Sequence, residues 1–288
     1  MIRDIARALR IFASERYPTV VALPVALCAC LGPYAVAGGG WSVLVRVVVT
    51  TFLVLFALRI VDDIVSVEED EKTNPSRALP SGRVDIQMLA RGAVALTGAA
   101  LVCGFGWLSL GLAVLGLYYV GFFLCIRHVS VILKPWFVNI VFFAIPIQLS
   151  WIQGRHAGLF LCTFGVFFWL TAVGHDFAHS VHAPGESHGD TPSASEILGP
   201  RRAALVGLAC YVGAFAAGAT LAYGLPGYRP IPILFSLGLA LMFVRVCVLL
   251  IELIAHPCVE RARRLYVGGF AFLLVPSFLL WIDRVLGV

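Results

Sequence analysis

Apolar tracts long enough to cross a bilayer follow one another almost without interruption from residue 18 to residue 282, and this limits what the chain can become. A helix that spans the hydrocarbon layer needs about 20 apolar residues. Proline, glycine and charge clusters cut the sequence into tracts at 18–41, 42–61, 86–106, 108–127, 136–153, 157–175, 203–224, 231–255 and 265–282. The expected fold class is therefore all-α: a polytopic membrane protein with about nine transmembrane helices, organised as one domain over residues 1–288. The chain is 60% hydrophobic and only 13% charged, against roughly a quarter charged in an average globular domain. That composition leaves no room for a sizeable soluble domain and excludes a disordered, collagenous or coiled-coil chain. The eight cysteines lie in or beside apolar tracts with no CxxC pair and no metal-ligand spacing, so they read as small buried hydrophobes.

The basic residues predict the orientation, because lysine and arginine are retained on the cytoplasmic side. The N-terminus and the alternate loops hold sixteen of the twenty-one, whereas the opposite face holds only Arg155, Arg229 and Arg284. The N-terminus is expected inside and the C-terminus outside. Residues 1–10 are basic and amphipathic and lack the apolar core and cleavage site of a signal peptide, so an interfacial helix kept in the mature protein is expected there. The net charge of +5 then reflects topology, and no nucleic-acid partner is expected. Arg46 and Arg245 fall within spans, each close enough to a span end to snorkel.

The acids are more informative, since insertion does not require them to cluster. Ten of the sixteen occupy two segments: Asp62, Asp63, Glu68, Glu69, Asp70 and Glu71 after the second tract, and Asp176, Glu186, Asp190 and Glu196 after the sixth. Both segments face the cytoplasm in the assigned topology, so they can meet at one mouth. Positions 62, 66 and 70 recur every four residues and share a helix face, with Asp63 and Asp70 seven apart on nearly the same face. Like charges stacked in this way repel. Carboxylates so arranged suit Mg²⁺, which binds through one or two carboxylates, retained waters and substrate phosphates; a solvated acidic loop is the alternative. Lys72, Arg77 and Arg83 follow directly, on a course fixed by Pro75, Pro80 and Gly82, so carboxylates for a metal lie beside cations for an anion. In the second segment Asp176, His179 and Ser180 stand at i, i+3 and i+4 among four of the seven histidines. A loop rich in histidine either binds Zn²⁺ or iron or is polar filler.

With these motifs the chain resembles the UbiA superfamily of intramembrane prenyltransferases. That resemblance implies nine transmembrane helices around a central cavity, with two acidic motifs in cytoplasmic cap loops after helices two and six. The first motif of the family is N-D-x-x-D-x-x-x-D followed by R-P-L-P-S-G. Here Asp62 stands at the asparagine, Asp63 and Asp70 match acids, Ser66 replaces the middle one, and Arg77-Ala78-Leu79-Pro80-Ser81-Gly82 is close to the trailing signature. In the second motif, D-x-x-x-D, Asp176 matches the first position and Ser180 stands at the second. Lys134 resembles the family's diphosphate-pairing lysine, and Tyr118 or Tyr119 its cavity tyrosine.

The resemblance implies catalysis by Mg²⁺ held on Asp62, Asp63, Asp70 and Asp176. An isoprenyl diphosphate would bind through Lys72, Arg77 and Lys134, with Tyr118, Tyr119, His179 and Ser180 as further binding candidates. Ionisation to an allylic carbocation and attack by an acceptor complete the implied reaction; the sequence does not name the acceptor. A terpene cyclase of the same fold, in which the prenyl tail attacks its own cation, is the first alternative. A membrane di-iron hydroxylase, from His175, His179 and His182, and a transporter, from the intramembrane arginines, are alternatives of other classes.

Overall fold

A computed structural model describes residues 1–154, 157–182, 193–223 and 232–287, and within them the chain is all helical. Helix α1 (Ile2–Arg16) precedes α2 (Thr19–Ala37) and α3 (Trp41–Val65), after which a short helix α4 (Val67–Thr73) leads into an irregular loop. Then come α5 (Ile86–Gly104), α6 (Trp107–Cys125), α7 (Lys134–Val138), α8 (Ile140–Ile152) and α9 (Leu159–His179). The chain ends with α10 (Ala194–Leu198), α11 (Pro200–Tyr223), α12 (Ile233–Ala255) and α13 (Val259–Leu286). Among the described residues nine helical segments, with α7 and α8 counted as one, are long and apolar enough to cross a membrane. Each coincides with a tract seen in the sequence. Three boundaries differ because polar residues continue a helix: α3 runs on through Asp62 and Asp63, α9 through Asp176 and His179, and α13 begins within the charged segment around Glu260 and Arg264.

Helix α9 forms the centre of the bundle, packing against α8, α11 and α13. Its close approach to α11 depends on two glycines. A Cβ on Gly174 would lie 3.0 Å from the Gly207 carbonyl, and one on Gly207 would lie 3.1 Å from that of Gly174, so the backbones touch where the helices cross. Small residues serve membrane helices in this way because dispersion, not the hydrophobic effect, must hold them together. Buried polar bonds add specificity. Gln148 of α8 sits between Thr50 and Thr51 of α3, and Ser277 of α13 accepts from the Gly32 amide while donating to the Cys28 carbonyl of α2. Asp283 accepts from the amides of Leu234 and Phe235, so the last helix caps the start of α12.

The sequence placed both intramembrane arginines near span ends, and the structure supports that for Arg46 alone. Its guanidinium donates to the terminal carbonyls of α5 at Cys103 and Gly104 and lies 3.8 Å over the Phe105 ring. Cations are favoured at a helix C-terminus, so Arg46 closes the end of α5. Arg245 corrects the expectation. It stands near the middle of α12, exposed on the outer face of the bundle, because the apolar tract continues unbroken on both sides of it.

Candidate functional site

The first acidic motif straddles a joint between two helices. Hydrogen bonds from the Ser66 amide to the Asp62 carbonyl and from the Asp70 amide to the Ser66 carbonyl carry the helical path across it. The Ser66 hydroxyl turns back to the Asp62 carbonyl at 2.9 Å, so it is engaged within its own helix. The three aspartates have different surroundings. Asp63 is buried, and both its oxygens are taken: Arg16 bonds them at 2.6 and 3.0 Å, and Arg59 adds a contact of 2.8 Å. Asp70 is buried and paired with Arg77. The Asp62 side chain is half exposed and meets Arg59 through one oxygen at 3.0 Å.

These ion pairs are organised by α1 and the loop after α4. Glu15 accepts from the Ala78 amide at 3.0 Å and from Arg83 at 2.8 Å, and Ala8, Phe12, Leu79 and Val84 form a small apolar core beneath. The loop needs glycine at position 82, whose φ of +71° lies in the left-handed region. Tyr17, which follows Arg16, stacks on Phe56 at 4.8 Å, and burial pushes its phenol above the ordinary range. Lys72 is exposed on α4.

The second motif is different. Asp176, on the last turns of α9, accepts one hydrogen bond at 2.7 Å from Asn139, the residue at the break between α7 and α8. The His175 ring meets Tyr266 of α13 at a tilt, 4.6 Å away, and Phe270 edge-on at 4.9 Å, while His179 meets Tyr266 edge-on at 5.1 Å. The Ser180 hydroxyl donates to its own helix at Phe177. Glu186, His188 and Asp190 lie outside the described residues.

The second motif borders a cavity of about 270 Å³. Its wall includes Arg59, Asn139, His175, Asp176, Tyr266 and Gly269. Arg59 connects the motifs, since it reaches the cavity while bonding Asp62 and Asp63. The cavity thus brings Asp176 of the second segment to Arg59, which holds Asp62 and Asp63 of the first.

Other sequence candidates are placed elsewhere. The Tyr118 hydroxyl donates to Phe137, and that of Tyr119 donates to Val138 at 2.6 Å while accepting from the Val141 amide. They brace the α7–α8 break and do not line the described cavity. Lys134 begins α7, half-buried, and makes no ion pair with the described residues. The residues that sequence reasoning passed over are Asn139, Tyr266 and Gly269, and Arg16 was counted only among the basic residues that mark sidedness. Arg59 entered only as a marker of sidedness.

Among the described residues no three acidic, histidine or cysteine side chains are gathered closely enough to hold a metal alone. The donors nevertheless fit a hard cation completed by other oxygens: among the described residues Asp62 and Asp176 each keep an oxygen clear of hydrogen-bond and ion-pair partners, and carboxylate oxygen suits Mg²⁺.

The profile of the UbiA prenyltransferase family matches residues 22–280. Two solved structures share the fold. One was determined in work on digeranylgeranylglyceryl phosphate synthase in membranes; it is 13% identical, with a TM-score of 0.69 over 97% of this chain and 99% of the other. The second, the apo structure of a UbiA homolog from Aeropyrum pernix K1, is 17% identical, with a TM-score of 0.67 over 93% and 98%. No curated protein matches the chain.

Proposed function

Because the chain belongs to the UbiA prenyltransferase family, we propose that it transfers an isoprenyl group from an isoprenyl diphosphate to an acceptor, through an allylic carbocation in the intramembrane cavity. The observation that carries this reading is one cavity lined both by Asp176 of α9 and by Arg59 of α3, the guanidinium that bonds Asp62 and Asp63. The cap loops would lie on the cytoplasmic side, with the N-terminus inside, from the distribution of basic residues.

A magnesium ion bound through Asp62, Asp70 and Asp176, with phosphate oxygens completing its shell, would offset the charge that develops on the leaving diphosphate. Asp63, with both oxygens engaged, holds Arg16 and Arg59 beside the mouth. Arg77, Lys72 and Lys134 pair with diphosphate oxygens; for Arg77 this means exchanging Asp70 for the substrate, an exchange that keeps its charge compensated throughout. His175, Tyr266 and Phe270 present rings to the cavity, where their faces stabilise a cation and their bulk excludes water.

Incubating purified protein with a panel of prenyl diphosphates, each with and without quinol or phenol acceptors, tests the reading. Prenylated acceptor together with released diphosphate is the expected result. Hydrocarbon formed equally well without acceptor would identify a terpene cyclase. Uptake of substrate into proteoliposomes without chemistry would identify a transporter.

A further inference from the structure

Among the described residues α12 has the highest mean hydropathy of the nine spans, 2.6, yet a cation stands in its middle. Arg245 is twelve residues from the first residue of the helix and ten from the last, about 18 and 15 Å at the rise of a helix. That is close to the midplane of a hydrocarbon layer about 30 Å thick. The side chain is exposed and makes no hydrogen bond or ion pair with the described residues. A guanidinium side chain is shorter than either distance, so it cannot reach a headgroup without thinning the bilayer. Charges held within a membrane are costly and are found paired. Arg46 obeys this rule by closing α5, whereas Arg245 lacks a counter-charge.

The chain does not supply one. Among the described residues the carboxylates within spans are the three motif aspartates Asp62, Asp63 and Asp176, together with Glu252, Glu260 and Asp283. Asp283 is buried on the amides of Leu234 and Phe235, and Glu260 pairs with Arg264. Glu252 lies on the same helix face as Arg245 but seven residues farther along, about 10 Å. Beside the arginine, Leu237, Leu241, Val244, Val248 and Ile251 recur at alternating steps of four and three residues and are all exposed. They form the kind of apolar seam that packs against another helix. Lipid alone could cover that seam; it cannot neutralise the arginine on its flank. Two copies of the chain share one orientation in the membrane, so packing through α12 would bring their arginines to one level, where they repel.

We propose that this face of α12 docks a transmembrane helix of another protein that carries an aspartate or glutamate near the middle of its span. Arg245 pairs with that carboxylate, a geometry that guanidinium favours, and the seam packs against the partner's apolar side chains. Arg245 is not on the cavity wall, so the docking is independent of the prenyl-transfer reading.

The test uses the full chain with a fluorescent donor fused at its N-terminus, in phosphatidylcholine vesicles. The probes are acceptor-labelled, leucine-rich spanning peptides of about 20 residues with aspartate, lysine or leucine at the centre. Wild type should associate about tenfold more tightly with the aspartate peptide than with the leucine peptide. Arg245→Leu should abolish that preference while melting at or above the wild-type temperature, since no contact is lost. Arg245→Glu should reverse the preference towards the lysine peptide. Equal association of wild type with the aspartate and leucine peptides, or a preference that survives Arg245→Leu, would overturn the proposal. Energy transfer between two labelled copies of the chain that Arg245→Leu abolishes would make a second copy the occupant and overturn it as well. So would enrichment of phosphatidylglycerol around wild type, lost in Arg245→Leu, with no preference among the peptides.

Discussion

The joint between α3 and α4 and the end of α9 carry the two acidic motifs, yet they are built on opposite electrostatic plans. At the first, Arg16, Arg59 and Arg77 converge from three segments on Asp62, Asp63 and Asp70. At the second, one aspartate is held by the amide of Asn139 and follows His175, whose ring meets those of Tyr266 and Phe270. A dense set of ion pairs can exchange partners with an arriving polyanion while every charge stays compensated. An amide-held carboxylate beside aromatic faces cannot make that exchange, but it offers a fixed oxygen and a dry wall. The contrast points to a division of labour, with the diphosphate handled at the α3–α4 joint and the organic partner at the end of α9.

The largest effect expected from breaking this division is on the two carboxylates that bridge it. Asp62→Ala and Asp176→Ala should each lower turnover by at least about a hundredfold, while thermal unfolding stays close to wild type, because removing an oxygen ligand weakens charge neutralisation at the leaving group. Rates from diphosphate release and melting curves on the same samples check this. Asp63→Asn should behave differently. It leaves two guanidinium groups without their shared anion, and the expected loss is of stability, about 3 kcal/mol, read as a lower unfolding midpoint. If Asp63→Asn were stable and inactive, Asp63 would belong with Asp62 as a ligand. Arg77→Ala should raise KM for the prenyl diphosphate about tenfold, the scale of one charge-assisted hydrogen bond. It should leave KM for the acceptor unchanged, since Arg77 belongs to the first region alone. The smallest effects belong to Ser66→Ala and Ser180→Ala. Both hydroxyls bond carbonyls of their own helices, and turnover within about twofold of wild type is expected. Damage from Ser66→Ala equal to that of Asp70→Ala would show the hydroxyl to be a ligand.

The membrane spans were legible in the sequence because a helix in lipid needs an unbroken apolar run, and nothing local competes with that signal. The first acidic motif was legible because its residues are neighbours in the chain and lead into Arg77-Ala78-Leu79-Pro80-Ser81-Gly82. The partners were not. Arg16 reaches Asp63 across 47 residues and Asn139 reaches Asp176 across 37, and no spacing rule connects α1 with α3 or α8 with α9. Tyr266 and Gly269 sit in α13, where a tyrosine or a glycine reads as ordinary packing, and only their place beside His175 on the cavity wall distinguishes them. Tyr118 and Tyr119 show the converse. Adjacent tyrosines within a span invite a binding role, whereas here they satisfy backbone groups freed where α7 gives way to α8 at Asn139.

The account depends most on one claim, that carboxylates of both motifs share a metal-dependent diphosphate site. Binding of a non-ionising prenyl thiolodiphosphate to the nanodisc-embedded protein, titrated with Mg²⁺ after EDTA stripping, tests it without requiring turnover or an acceptor. The account predicts saturable binding that needs Mg²⁺ and is weakened at least about tenfold by Asp62→Ala and by Asp176→Ala alike. Binding of equal affinity in EDTA, or binding that responds to Asp62 and ignores Asp176, would contradict it.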